Sequence, residues 1–252
     1  AIYSVIGKLP PNGSLIKERP FRAPRHTITA KALCGGGTIP GPGEISLAHC
    51  GVLFLDELPE FHRETLEVLR QPLENGSMQI HRCGYTYDFP AQFMLVAAMN
   101  PCPCGFYPNL SRCHCSYTAV RRYQEKISMP LLDRIDMMIE VSALSYPQWN
   151  QTTQEMSSAQ MKKKVERVRE IQKERRKGQS FLFNSRMGNQ ELEEYCALGT
   201  QEKKLMKKAF DELKISARGY TKILKVARTI ADLEEKEQIQ TEHLQEALCY
   251  RI

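Results

Sequence analysis

Short unbroken apolar runs mark the first part of the chain, and helical periodicity marks the last hundred residues. Val52 to Leu55 are apolar in succession and run straight into the acidic pair Asp56-Glu57. A run this short fits a parallel strand covered on both faces. A second apolar run, QFMLVAAMN, ends at Asn100, and a third, DMMIEVSAL, predicts another strand just after LLDRID. Between the first two, Leu66, Leu69 and Leu73 recur at helical spacing, and SMQIHRCGYTYDF predicts a hairpin with Gly84 near its turn. Residues 1–50 are interrupted by Pro and Gly (KLPPNGS, ERPFRAPRHT, CGGGTIPGPGEIS), which predicts loops and short elements.

Past about residue 150 the strand signals stop. SAQMKKKVERVREIQKERRK predicts a basic helix ending near Gly178, and Thr200, Ser216 and Thr241 are placed as N-caps of later helices. Ile223, Leu224, Ala227, Ile230 and Ala231 form one apolar stripe. The expected architecture is an α/β portion over residues 1–150 followed by an all-helical portion over 151–252, with the boundary near 145–155.

Composition narrows the class. With 42% hydrophobic and 25% charged residues, the 252-residue chain is of ordinary globular make-up. No apolar run approaches the ~20 residues that span a bilayer, and no signal segment opens the sequence. The first residue is Ala rather than Met, which suits a fragment or a processed product. A net charge of +6 permits contact with nucleic acid without demanding it. Of nine cysteines, Cys34, Cys50, Cys83, Cys196 and Cys249 are scattered, while Cys102, Cys104, Cys113 and Cys115 cluster. That pattern argues for reduced cytoplasmic thiols with one metal cluster, against a secreted disulfide framework.

The candidate chemistry starts at the first strand's end, where open α/β sheets bind ligands. There Asp56 would hold Mg²⁺ through its water shell, and Glu57 would polarise the water that attacks a γ-phosphate. The bland alternative is a solvated acidic loop. Such an ATPase also needs a Gly-rich loop ending in Gly-Lys-Ser/Thr, and none occurs in these 252 residues. Asn100 could position the same water, or be only a turn former before Pro101. Arg134, between Asp133 and Asp136, is either an arginine finger acting on a neighbour's nucleotide or a surface ion pair. The spacing C-x-C, eight residues, C-x-C suits a tetrahedral Cys₄ zinc site of structural type, with His114 as a substitute ligand; the alternative is four reduced thiols on a loop. Residues 162–177 carry nine Lys/Arg against three Glu, which makes either a solvated, internally paired helix face or a contact to phosphates.

The order RPFRAP, GGG, PGEISLAHCGVLFLDELPEF, LRQPLENG, AAMNPCPCG, LLDRID and SARGYTKILKVARTIADLE resembles the magnesium-chelatase-like AAA+ ATPases, and within them the bacterial ComM/YifB branch linked to DNA processing in natural transformation. The resemblance covers nearly the whole chain. It implies a partial AAA+ core, whose sheet lacks the strand before the phosphate loop, followed by a helical lid. It implies Asp56 and Glu57 as the Walker B pair, Asn100 as sensor 1, Arg134 as the arginine finger and Arg218 as the sensor 2 arginine on a lid helix. Segments 35–50 and 77–90 match insertions that line the pore in related hexamers. The sequence departs from the family at Arg25, where His-His more often follows the RAP motif, and this bears on His26. The implied function is the motor of a homo-hexameric, ATP- and Mg²⁺-dependent ATPase acting on single-stranded or branched DNA, as in branch migration or unwinding. The nucleotide loop lies upstream in that family, so the fragment is expected to bind ATP weakly and to be inactive alone. The runner-up is the ATPase subunit of a magnesium chelatase, driving a partner that loads Mg²⁺ into a porphyrin. A third possibility is a zinc-stabilised DNA-binding or assembly module without turnover.

Overall fold

The computed structural model describes residues 2–7, 16, 18–38, 40–82, 84–142, 146, 150, 156–175 and 183–251. It divides into two compact units, Ala1–Ile135 and Asp136–Ile252. Among the described residues no helix is long and apolar enough to cross a membrane.

The first unit carries strands β1 (Phe21–Arg22), β2 (Gly35–Gly36), β3 (Gly41–Pro42), β4 (Val52–Leu55), β5 (Ser77–Arg82), β6 (Tyr85–Pro90) and β7 (Met94–Ala97). Its helices are α1 (Ile2–Val5), α2 (Ala30–Cys34), α3 (Glu44–Leu47), α4 (Arg63–Glu67), α5 (Arg70–Asn75), α6 (Tyr117–Gln124) and α7 (Met129–Leu132). Strands β1, β4 and β7 form a parallel sheet in that order, with Val52 opposite Met94 and Leu55 opposite Ala97. Leu53 and Leu55 are fully buried and pack with Leu33, Ile45, Leu66, Leu69 and Leu131. Cover on both faces, expected from the apolar run, is not found. The opposite face holds Val52 and Phe54, half-buried, beside Phe21, Met94 and Val96, which are exposed. Phe21 and Phe54 stack there at 6.1 Å.

The helical pattern through Leu66, Leu69 and Leu73 splits into α4 and α5. Pro72 has no N–H to bond the Val68 carbonyl, so a continuous helix would leave that acceptor unpaired. Strands β5 and β6 pair from Ser77–Pro90 to Arg82–Tyr85, the hairpin the sequence predicted. Gly84 sits at φ +79° in its turn, a conformation that costs a glycine little; Cys83 lies outside the described residues.

The second unit contains α8 (Ser158–Arg175), α9 (Asn189–Tyr195), α10 (Thr200–Leu213), α11 (Ala217–Leu233) and α12 (Thr241–Cys249). The strand expected in DMMIEVSAL is absent over residues 137–142. A parallel strand needs an adjacent strand for its backbone; here the Met138 N–H donates instead to the Tyr250 carbonyl at 2.9 Å. The predicted stripe on α11 is the core: Ile223, Leu224, Ala227 and Ile230 pack with Met206 and Leu244. Ser216 caps α11, its Oγ accepting from the Gly219 N–H at 3.0 Å. Thr200 and Thr241 are instead first residues of their helices, behind Gly199 and Gln240. The Gln240 N–H is satisfied by His243 Nδ1 at 2.9 Å, leaving the Thr241 hydroxyl free to donate to Glu202 at 2.8 Å. The expected end of α8 near Gly178 lies outside the described residues.

Asp232 ties α8 to α11. Its fully buried carboxylate accepts from Arg228 at 3.0 Å, Asn184 at 2.8 Å, Gln172 at 3.3 Å and Arg175 at 3.0 Å. Burial pushes the Arg228 guanidinium below its usual pKa, so this cation depends on the carboxylate beside it. Asp232→Ala should therefore destabilise the second unit by about 3–5 kcal/mol, because it strands a buried charge. Denaturant unfolding of the variant checks this; a midpoint equal to wild type would remove Asp232 from the list of structural determinants.

Candidate functional site

Asp56 and Glu57 leave the carboxyl end of β4 in a tight turn. Glu57 adopts left-handed backbone (φ 53°, ψ 48°), and its N–H donates to Asp56 Oδ1 at 2.9 Å. A side chain in that region costs about 1–2 kcal/mol, and such strain collects at functional turns. The turn is stitched to the neighbouring strand: the Leu58 N–H donates to the Ala98 carbonyl at 2.9 Å, and the Ala98 N–H to the Leu55 carbonyl at 3.0 Å. Asn100 follows two residues later. The structure thus puts the acidic pair and Asn100 at the same edge of adjacent parallel strands, with all three side chains exposed.

One residue of this edge was not singled out as a candidate. His26 Nδ1 lies 3.2 Å from Glu57 Oε2, and its ring meets Phe61 edge-on at 6.4 Å. The signal was present in topology: RAPRH follows β1, which runs parallel to β4, so the loops after both strands leave the sheet on one side.

The two arginines lie elsewhere. Arg134 makes a partly exposed ion pair within its own unit. Its side chain is 11% exposed, it pairs with Glu74, and it donates to the Arg70 carbonyl at 3.1 Å and the Pro130 carbonyl at 2.7 Å. In this arrangement it clamps the end of α7 to α5. Arg218 belongs to the second unit, exposed in the first turn of α11.

The four clustered cysteines converge. All their Sγ atoms lie within 4.8 Å of one another, with Cys102 to Cys104 at 3.4 Å, Cys104 to Cys113 at 3.6 Å and Cys102 to Cys113 at 3.8 Å. A tetrahedron of Zn–S bonds near 2.3 Å has sulfur–sulfur edges of about 3.8 Å. His114 is not part of the group. The Tyr107 N–H donates to Cys102 Sγ at 3.4 Å. A hydrogen bond from the Phe106 N–H pulls the Cys104 thiol down to about 6. Cys113 accepts from the Cys115 N–H, yet burial and the neighbouring sulfurs outweigh this and push it up to about 12. A cation among the sulfurs would favour all four thiolates together. Residues 101–116 contain no helix or strand, and the buried cluster beneath them is Cys102, Cys113 and Val120. Ordering a loop costs ~1–2 kcal/mol per residue, more than so small a cluster returns at about 1.5–3 kcal/mol per buried side chain.

Two surfaces carry exposed basic side chains. At the tip of the β5–β6 hairpin Tyr85 is 70% exposed, with Arg82, His81 and Tyr87 beside it. On α8 three of the seven described Lys/Arg are paired, Lys162 with Glu166, Arg167 with Glu170 and Glu235, and Arg175 with Asp232, and the helix presents no exposed aromatic ring. The hairpin is therefore the better candidate for stacking against bases.

Comparison with known proteins fits this geometry. The chain is 49% identical over 236 residues to Competence protein ComM of Haemophilus influenzae, covering 93% of this chain and 45% of that protein. It is 44% identical over 237 residues to the uncharacterised YifB of Salmonella typhimurium, and 35% identical over 252 residues to an uncharacterised protein of Mycobacterium bovis. It spans about half the length of these relatives. The model of magnesium chelatase, subunit ChlI, matches residues 1–149, and that of the ChlI C-terminal part matches 155–251. Matched along nearly its whole length, the chain belongs to the magnesium chelatase ChlI family of AAA+ ATPases.

Proposed function

We propose that this chain is part of the motor of a hexameric AAA+ ATPase that acts on single-stranded or branched DNA in the cytoplasm, in recombination or natural transformation. The observation that carries the hydrolytic part is the meeting of Asp56, Glu57 and Asn100 at one edge of adjacent strands. Asp56 would hold the Mg²⁺ that accompanies ATP, Glu57 would orient and deprotonate the attacking water, and Asn100 would sense the γ-phosphate. Arg134 acts as the arginine finger once its guanidinium is released from Glu74 and α5, and Arg218 is the sensor 2 arginine of the lid. A zinc ion in the Cys102/Cys104/Cys113/Cys115 group is a structural cofactor. The DNA part is supported by the hairpin tip, whose exposed Tyr85 and Tyr87 offer stacking platforms beside Arg82. It is also supported by the likeness to a protein named for competence.

The family description favours a second reading, an ATPase subunit that drives metal insertion into a porphyrin. ATP hydrolysis by the full-length protein separates the two. On the first reading, branched or single-stranded DNA stimulates turnover, and Tyr85→Ala weakens DNA binding by about 1–3 kcal/mol per lost stack. Stimulation by a porphyrin-binding partner, with no response to DNA, would replace the first reading by the second.

A further inference from the structure

Asn100 does not stand at the end of β7 by virtue of the sheet alone. Strand pairing stops at Ala97, and the last backbone tie to β4 is at Ala98. Beyond it the chain runs through Pro101 into Cys102, which is fully buried. It turns there, with the Gly105 N–H bonded to the Cys102 carbonyl at 3.0 Å, and comes back over the Asn100 side chain. Gly105, at φ +82°, lies beside that side chain: a Cβ built on it would be 3.9 Å from Asn100 Cγ and Oδ1, an ordinary van der Waals distance. On the outer side, Gln124 of α6 donates to the Pro101 carbonyl at 3.1 Å, and Val120 of α6 packs on Cys102 and Cys113. Among the described residues, the segment that orients Asn100 is therefore held by the cysteine group and by one edge of α6.

We propose that the four cysteine thiolates bind one zinc ion, and that this closed metal knot is the brace that positions Asn100 at the strand edge. Four thiolates leave no open coordination position, so the ion does no chemistry of its own. It fixes residues 102–105 from one side and the 113–115 segment from the other, and the short link through Pro101 to the buried Cys102 carries that rigidity back to Asn100. Asn100 is the reacting-edge residue in this scheme, and the four cysteines are positioning residues. The role in turnover rests on the proposed function above; the metal and its hold on Asn100 do not.

The test begins with this 252-residue chain prepared without chelator. Metal analysis should find about one zinc per chain, and cobalt(II) in its place should give thiolate-to-metal charge-transfer bands of a tetrahedral S₄ site. A metal-free protein that takes up neither ion would overturn the proposal at once. The side-chain amide of Asn100, assigned by its loss in Asn100→Ala, should shift or broaden in the NMR spectrum when zinc is withdrawn. That of Asn184, in the second unit, should stay put. An Asn100 signal indifferent to zinc would leave a metal site but no brace. Gly105→Ala keeps every thiolate but strains the left-handed turn at φ +82° between the cysteines; zinc should still bind while the Asn100 signal moves, and a variant that loses zinc as well is read through the zinc-withdrawal measurement alone. In the full-length protein, Cys104→Ser should lower kcat by about tenfold to a hundredfold with little change in KM for ATP, the signature of a misplaced group. If Asn100→Ala itself leaves kcat unchanged, the motor reading fails, while the zinc and amide measurements still decide the brace.

Discussion

Glu57→Gln in the full-length protein should cut ATP turnover by about 10²–10⁴-fold, the range of a lost general base, while ATP still binds. Glutamine keeps the size of the side chain and can occupy the same left-handed turn, so the hydrogen bond from the residue-57 N–H to Asp56 Oδ1 should survive. What it loses is the capacity to take a proton from the attacking water. A single-turnover hydrolysis assay set beside an equilibrium ATP titration separates these effects. If Glu57 is only part of a solvated acidic turn, its amide variant will hydrolyse ATP at nearly the wild-type rate, and the catalytic assignment falls. The 3.2 Å contact to His26 gives an internal comparison. His26→Ala removes a neighbour of the carboxylate and leaves the base in place, so its loss of turnover should be much the smaller of the two.

How legible this site was depends on which forces set each residue's position. Leu53 and Leu55 are buried because an apolar run has few other fates, so the acidic pair behind them is placed by local sequence. The stripe on α11 and the Gly84 hairpin are equally local: one is a 3.6-residue period, the other a turn conformation. The cysteine group was also legible, since its spacing alone brings the thiols within reach, although that spacing left His114 open as a ligand and the geometry does not use it. His26 was obscured because its meeting with Glu57 depends on two strands separated by some thirty residues lying parallel. Residues 137–142 have strand-like composition, but a strand is a pairing, and their described backbone bond goes to Tyr250. Arg134 shows the limit most clearly. Flanking aspartates suggested a surface pair, while two of its partners, the Arg70 carbonyl and Glu74, sit on α5, far back in the sequence.

That burial of Arg134 shapes the second large effect expected here. Arg134→Ala in the full-length protein should reduce ATP turnover by about 10³–10⁵-fold, as for other arginine fingers, with ATP binding nearly intact. The same substitution also removes its hydrogen bonds to α5 and Pro130, at about 1–3 kcal/mol of stability. The two consequences must be told apart. Glu74→Gln breaks the ion pair that anchors Arg134 but leaves the guanidinium available. If Arg134 is only an anchor, both variants should lose turnover and thermal stability together. If it is a finger, Glu74→Gln should retain most of its activity, while Arg134→Ala is inactive even at temperatures where it is folded. Mixed assemblies then ask where the finger acts. A ring built from Arg134→Ala and Glu57→Gln subunits contains some interfaces that pair an intact Glu57 with a neighbour's intact Arg134, so partial activity should return. Demonstrably mixed rings with no recovered activity would be explained by action within one subunit or by a need for every site at once. Diluting wild-type rings with Arg134→Ala subunits distinguishes these two: a steep loss means coupled sites, and a linear loss without complementation makes Arg134 a residue of its own subunit's site and ends the trans assignment.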